Sequence, residues 1–208
     1  MNWMSSSSSL IQIVGTTSLT KKIFSIGIDV GSVNGAICVV DEELKIHLLT
    51  KAPTIQTIIK SKRNKSKINK ETMKYEKDYR KRTWVDYKTV GSLFKKFLTN
   101  PIIYTVEKIT ARPMEGETSS FVNGNSLGIF QAQYGILNPI AYYEPLAITW
   151  KKELGVTSDK ESSIHLAEDI FQIELKKFVK KGKVDDLAEA LLLSFYGLKM
   201  YFNNQKEK

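Results

Sequence analysis

The stretch SIGIDVGSVNGAICVVD, residues 25–41, decides how the rest of the chain is read. Residues 23–30 alternate and then run apolar, the pattern of a central strand, and a carboxylate, Asp29, stands at its end. Gly31 and Gly35 bracket a tight turn, after which 36–40 is a second apolar run. A third run, 45–49, follows a turn at 41–43, so the chain opens as three antiparallel strands. A charge beside buried apolar positions is costly to leave unpaired, which makes Asp29 a candidate ligand for a cation. On local grounds alone it reads equally as a turn-capping Asp before Gly31.

Further along, Glu107 ends a wholly apolar strand, 102–106. Before it, Asp86 is placed to cap a helix with Val90, Leu93, Phe94 and Phe97 on one side, and Pro101 follows that helix. Residues 108–122, with Pro113, Gly116 and several hydroxyls, read as a loop. Residues 123–137 read as a helix using Leu127, Phe130, Gln131 and Tyr134, and 140–143 as a last strand. Ser158 or Asp159 then caps a helix with Ile164, Ala167, Ile170 and Phe171 at 3.6-residue spacing. A basic link, 176–183, leads to a final helix over 184–200, packed by Leu187, Leu191, Ser194, Phe195 and Leu198. This order predicts an α/β domain with a mixed sheet.

The final helix opens with Asp185 and Asp186 and continues to Glu189. Spacings of four and three put either Asp on one face with Glu189, and like charges so stacked repel unless a cation sits between them. An acidic first turn is also what a helix dipole favours, a reading that suits Asp185 or Asp186 alone better than the deeper Glu189. Hard oxygen ligands of this kind suit a divalent metal pair, which can neutralise both the attacking and the leaving oxygen of a phosphodiester.

The 208 residues allow one compact domain with extensions, and the net charge of +9 points to an anionic partner, nucleic acid being the simplest. Ribosome or membrane-surface binding fits that charge as well. Cys38 is the single cysteine and lies in an apolar run, so it reads as a buried free thiol. No apolar stretch approaches the roughly 20 residues of a membrane span. Residues 60–88 carry a dense set of Lys and Arg with few apolar residues, and KSKRNKSKINK (60–70) has no helical or strand period. Such a segment reads as a solvated insertion, a phosphate-contacting arm, or both. Residues 1–22 are rich in Ser and Thr and lack acids; a targeting peptide and a flexible tail are both open.

Taken in order, SIGIDVGSVNGAICVVD (25–41), YTVEK (104–108) and VDDLAEALLLSFYG (184–197) resemble the RuvC-type Holliday junction resolvases of the ribonuclease H-like superfamily. The resemblance is nearest to the phage and plant-chloroplast branch, through a Gly/Ser-rich stretch at 111–137 and a Pro-x-x-x-Trp-Lys-Lys segment within 145–171. It covers about residues 23–197 and implies a ribonuclease H-like fold with a mixed five-stranded sheet flanked by helices. The implied domain spans 23–200, with a basic insertion at about 60–85, an N-terminal tail at 1–22 and a polar tail at 201–208.

The implied activity is a homodimeric crossover junction endodeoxyribonuclease acting in recombination and repair. It would nick a four-way DNA junction symmetrically, leaving 5′-phosphate and 3′-hydroxyl ends. Asp29, Glu107, Glu189 and one or both of Asp185 and Asp186 would hold two Mg²⁺ ions, for which Mn²⁺ would substitute. One ion would activate water and the other stabilise the departing 3′ oxygen. The family spacing favours Asp186, and both are kept. Lys160 matches a family lysine that contacts the scissile phosphate, and Lys151 and Lys152 would track the backbone.

Bacterial members carry an aromatic wedge three residues after the middle Glu, where this chain has Thr110; Phe121 is the candidate for that unstacking role, or else a core residue. The resemblance places the protein in a bacterial, phage or viral cytoplasm, or in a chloroplast or mitochondrion if residues 1–22 are a transit peptide. Two alternatives use the same features: a nuclease for flaps or RNA/DNA hybrids, and a non-catalytic nucleic-acid-binding protein. A sugar-kinase-like ATPase shares the Ile-Asp-x-Gly opening but needs a second lobe and further Gly-rich motifs.

Overall fold

The computed structural model describes residues 21–31, 35–60, 67–68, 75–76, 79–110, 116–157, 159–178 and 184–207. Most of the tail at 1–22 and much of the basic insertion lie outside the described residues. Strands β1 (Phe24–Asp29), β2 (Ala36–Asp41) and β3 (Ile46–Lys51) form the antiparallel opening expected from the apolar runs. Asp41 closes the β2–β3 turn by accepting from the backbone N–H of Glu43 and Lys45, each at 3.0 Å, while His47 and Lys22 flank its second oxygen.

Beyond β3 come β4 (Thr54–Lys60), the two-residue strands β5 (Lys67–Ile68) and β6 (Tyr75–Glu76), and β7 (Tyr79–Val85). β4 and β7 pair antiparallel from Thr54↔Val85 to Lys60↔Tyr79, and β5 pairs with β6. The base of the basic insertion is therefore a two-stranded ribbon, which the sequence reading did not assign.

Asp86 caps α1 (Tyr87–Phe94) as expected, accepting from the N–H groups of Lys88 and Thr89. After a 3₁₀ turn at Lys95–Phe97 the chain enters β8 (Ile102–Val106). Helix α2 (Glu117–Leu137) starts six residues before the expected 123. Its buried stripe is Val122, Ser126, Phe130, Gln133 and Leu137, one position round from the predicted face, and Tyr134 is exposed.

Strand β9 (Ala141–Tyr143) is followed by α3 (Ala147–Leu154), a short helix the sequence reading did not separate. Asp159 caps α4 (Lys160–Phe171). The last helix, α5 (Asp185–Lys206), runs six residues past 200, so most of the expected polar tail is helical.

The main sheet has the order β3-β2-β1-β8-β9, with β1, β8 and β9 parallel. Alternation splits each central strand between two cores. Ile26, Ile28, Ile102, Tyr104 and Val106 pack with Phe94 and Phe130 on one face. Ser25, Gly27, Ile103 and Thr105 turn to the other face, where α5 lies.

Glycine makes that approach possible. A Cβ on Gly27 would stand 2.2 Å from the Ala190 carbonyl oxygen, and one on Gly197 would stand 2.3 Å from Thr105 Oγ1. Cys38 is buried beside Ser194, and burial pushes its thiol up to about 12, so it is a packing residue rather than a reactive one. Among the described residues no helix is long and apolar enough to cross a membrane.

Candidate active site

The seat of α5 on β1 fixes where the acids meet. Ser25 Oγ donates to the Ser194 carbonyl at 2.7 Å, and Gly27 lies against Ala190 and Ser194. The helix therefore runs antiparallel to the strand. Asp29, one further step along the same face, arrives at the N-terminal turns of α5. Glu107 follows β8 and repeats the alternation of Ile103 and Thr105; its N–H donates to the Ile28 carbonyl at 3.0 Å. Carboxylate oxygens of Asp29, Glu107 and Glu189 lie within 4.8 Å of one another.

Asp29 and Glu107 are buried, at 9% and 8% exposure, and Glu189 is half-buried. Burial first, then the charges of Glu107, Glu189 and Asp186, hold the Asp29 carboxyl well above the usual carboxylate range. Glu107 is raised as well, by burial and then by Glu189. The Trp150 indole, Lys151 and Asp29 oppose that rise, the indole without closing a hydrogen bond of its own.

Each helix acid faces a different lysine. Lys151 donates to Glu189 at 2.6 Å, Lys160 pairs with Asp185, and Lys51 pairs with Asp186. The structure thus brings together Asp29, Glu107 and Glu189 in one tight group and sets Asp185 and Asp186 at its edge, with the Asp186 charge still bearing on Asp29. All five acids line one cleft of about 1370 Å³ with Lys108, Lys151, Lys160 and the Ser119, Ser120, Asn123 side of α2.

Lys152 is exposed and outside the cleft lining, unlike its neighbour Lys151. Phe121 is neither a loop residue nor a core residue. It sits in the second turn of α2 and is 63% exposed.

The sequence reading missed Lys51 and Trp150. Lys51 looked like any strand-end lysine, yet the register Asp29↔Ala36↔Lys51 sets it level with Asp29 across three strands. Counting residues across the two turns was the available signal. Trp150 is fully buried and near enough to bear on the Glu107 carboxyl, and only its place between apolar and basic residues hinted at a wall of the site.

No family model and no curated protein matches the sequence. Solved structures do match in fold. Thermus thermophilus RuvC in complex with Holliday junction substrate aligns at 14% identity and a TM-score of 0.50, covering 88% of this chain and 96% of that one. A second Thermus thermophilus RuvC structure aligns at 13% identity and a TM-score of 0.48, covering 86% and 96%. The five-stranded mixed sheet flanked by helices is the ribonuclease H-like fold of RuvC.

Proposed function

We propose that this chain is a RuvC-type, metal-dependent endonuclease that resolves four-way DNA junctions by paired symmetric nicks, leaving 5′-phosphate and 3′-hydroxyl ends, in recombination and repair. The convergence of Asp29, Glu107 and Glu189 within 4.8 Å at one rim of a ribonuclease H-like sheet carries the reading.

The donor set fits a divalent cation. Hard carboxylate oxygens are gathered where burial and mutual repulsion make their bare charges costly, and a cation would relieve both. Asp29, Glu107 and Glu189 would hold it, with Asp186 favoured over Asp185 as the further ligand because its charge bears on Asp29. Two Mg²⁺ ions, or Mn²⁺ in their place, would activate water for attack and stabilise the departing 3′ oxygen.

Lys151 and Lys160 border the cleft and would meet the backbone phosphates, while Lys152 would add an outer contact. The buried Trp150 indole would steady the Glu107 carboxylate, on whose titration it bears. Residues 23–200 form the nuclease domain in this reading. The stretches at 111–137 and 145–171 support the phage and plant-chloroplast branch. Symmetric nicking asks for two sites, which a two-fold homodimer supplies.

The test is cleavage of a synthetic four-way junction beside linear duplex, flap and RNA/DNA hybrid in Mg²⁺. Paired symmetric nicks on the junction, abolished by Asp29→Asn and Glu107→Gln with binding retained, support the proposal. Linear duplex cut as fast as the junction removes the resolvase assignment, and activity surviving in Glu107→Gln removes the site. Asp185→Asn beside Asp186→Asn identifies the helix ligand.

A further inference from the structure

The two-stranded ribbon carries an aromatic cluster that the acidic site does not use. Trp84 and Arg82 occupy alternate positions of β7 and so share a face, opposite Ile55 and Thr57 of β4. The indole N–H donates to Thr57 Oγ1 at 2.8 Å, which fixes the ring. The Arg82 guanidinium stands 5.6 Å from the ring centroid. Phe121 meets the indole edge-on at 6.2 Å and 87° while staying 63% exposed.

Packing explains this poorly. A two-stranded ribbon has no core of its own, and a Phe left mostly in water contributes little burial. Location is more telling. Phe121 shares its helical turn with Ser119, Ser120 and Asn123, which line the cleft holding Asp29 and Glu107. Charge completes the description, since residues 60–82 hold eleven Lys and Arg against three acids. Fixed aromatic rings interleaved with cations are the chemistry that holds single-stranded nucleic acid, with stacking for the base and ammonium or guanidinium groups for the phosphates.

We infer that Trp84, with Phe121 and Arg82, is a stacking platform for an unpaired base of a DNA strand entering the neighbouring cleft. Within a continuous duplex both faces of a base are already stacked, so the platform selects DNA with exposed bases, as at a branch point. The inference rests on the nuclease reading for its partner and assigns the ribbon a share in substrate selection.

The full chain is titrated without divalent metal against a short oligothymidine, a blunt duplex of equal length and a four-way junction. Tryptophan fluorescence and affinity are both followed. The oligothymidine is expected to quench the wild-type emission. Trp84→Phe is expected to bind within about twofold of wild type and to lose the quench, because a phenyl ring still stacks. Trp84→Leu and Phe121→Leu are expected to weaken oligothymidine and junction binding about fivefold or more, with blunt-duplex affinity unchanged.

Equal weakening for single strand and duplex would overturn the platform, as would wild-type affinity in Trp84→Leu or a quench that persists in Trp84→Phe. Junction nicking retained alongside any of these leaves the nuclease reading standing and the platform refuted. If the chain binds no DNA in any form, both fall. Should Trp84→Leu lower the urea midpoint, the quench lost or kept in Trp84→Phe decides.

Discussion

Gly27→Ala is a single methyl placed between the two halves of the site. Its Cβ would stand 2.2 Å from the Ala190 carbonyl oxygen and 2.4 Å from the Ser194 amide nitrogen, both backbone atoms of α5. Reaching the 3.4 Å at which ordinary contact begins asks for a shift of about 1.2 Å between strand and helix. Side-chain rearrangement cannot supply it. Overpacking of this kind costs about 1–3 kcal/mol of stability.

The displaced helix carries Glu189, and a misplacement of about 1 Å at a reacting centre can cost about 100-fold in rate. Urea unfolding and single-turnover junction nicking in Mg²⁺ are the paired assays. The expected result is a chain still folded at low urea, a lower midpoint, and nicking reduced about 100-fold. Gly91→Ala, where the nearest atom to a new Cβ is a side-chain oxygen at 3.9 Å, should change neither by much. Wild-type stability with wild-type nicking in Gly27→Ala would refute the claim that glycine sets the helix on the strand.

Asp29 gives a pH test. Burial and neighbouring acids raise its folded-state value, so its contribution to stability is complete below the ordinary carboxylate range and is lost as pH rises through the raised value. Metal-free protein should therefore melt lower at neutral than at mildly acid pH, and Asp29→Asn should stabilise it at neutral pH by about 1 kcal/mol. A calorimetric scan showing the variant less stable at neutral pH would contradict this.

Asp41 has the opposite sign. Burial raises it, but the hydrogen bonds of Lys22 and His47 win and hold it at about 2. Its contribution, about 2 kcal/mol, is present above the ordinary value and disappears as pH falls toward about 2. The midpoint difference between wild type and Asp41→Asn should shrink over that window; a difference independent of pH would show the pairing to be immaterial. Lys51→Met removes the ammonium that competes for Asp186, and calorimetric Mn²⁺ affinity without DNA should rise by up to about fivefold. Unchanged or weaker affinity would mean that Lys51 is no competitor.

The central strands and their acids were legible because a buried strand is a continuous apolar run, and an acid closing one stands out. That Asp29, Glu107 and Glu189 lie within reach of one another was implied by the resemblance and by no local pattern. Other features left weaker traces. β4 and β7 form a ribbon whose described residues are largely exposed or half-exposed, so no apolar alternation marked them. The first turns of α2, ETSSFVNGN, are rich in hydroxyl and Asn residues, include Gly124 and have poor helix propensity, so tertiary contact at Val122 and Ser126 overrides the local preference. α3 is eight residues long with one fully buried side chain, Trp150, too short for a period to show. Lys51 reaches Asp186 only through the register of three strands, a relation that no local window contains.

The link between Glu107 and β1 would also bear on which ion the proposed site takes. The Glu107 N–H bonded to the Ile28 carbonyl ties two adjacent parallel strands, so the backbone separation beneath the strand acids is set by the ladder, about 4.8 Å per strand. Glu107 and Glu189 carry longer stems than Asp29, and Glu189 also stands on a separate element. A cation wanting bonds of about 2.1 Å in octahedral order and one wanting about 2.4 Å in looser order would meet the same backbone spacing. Any discrimination between Mg²⁺ and Ca²⁺ at this site would then rest on how far the three carboxylates can adjust above a fixed backbone spacing.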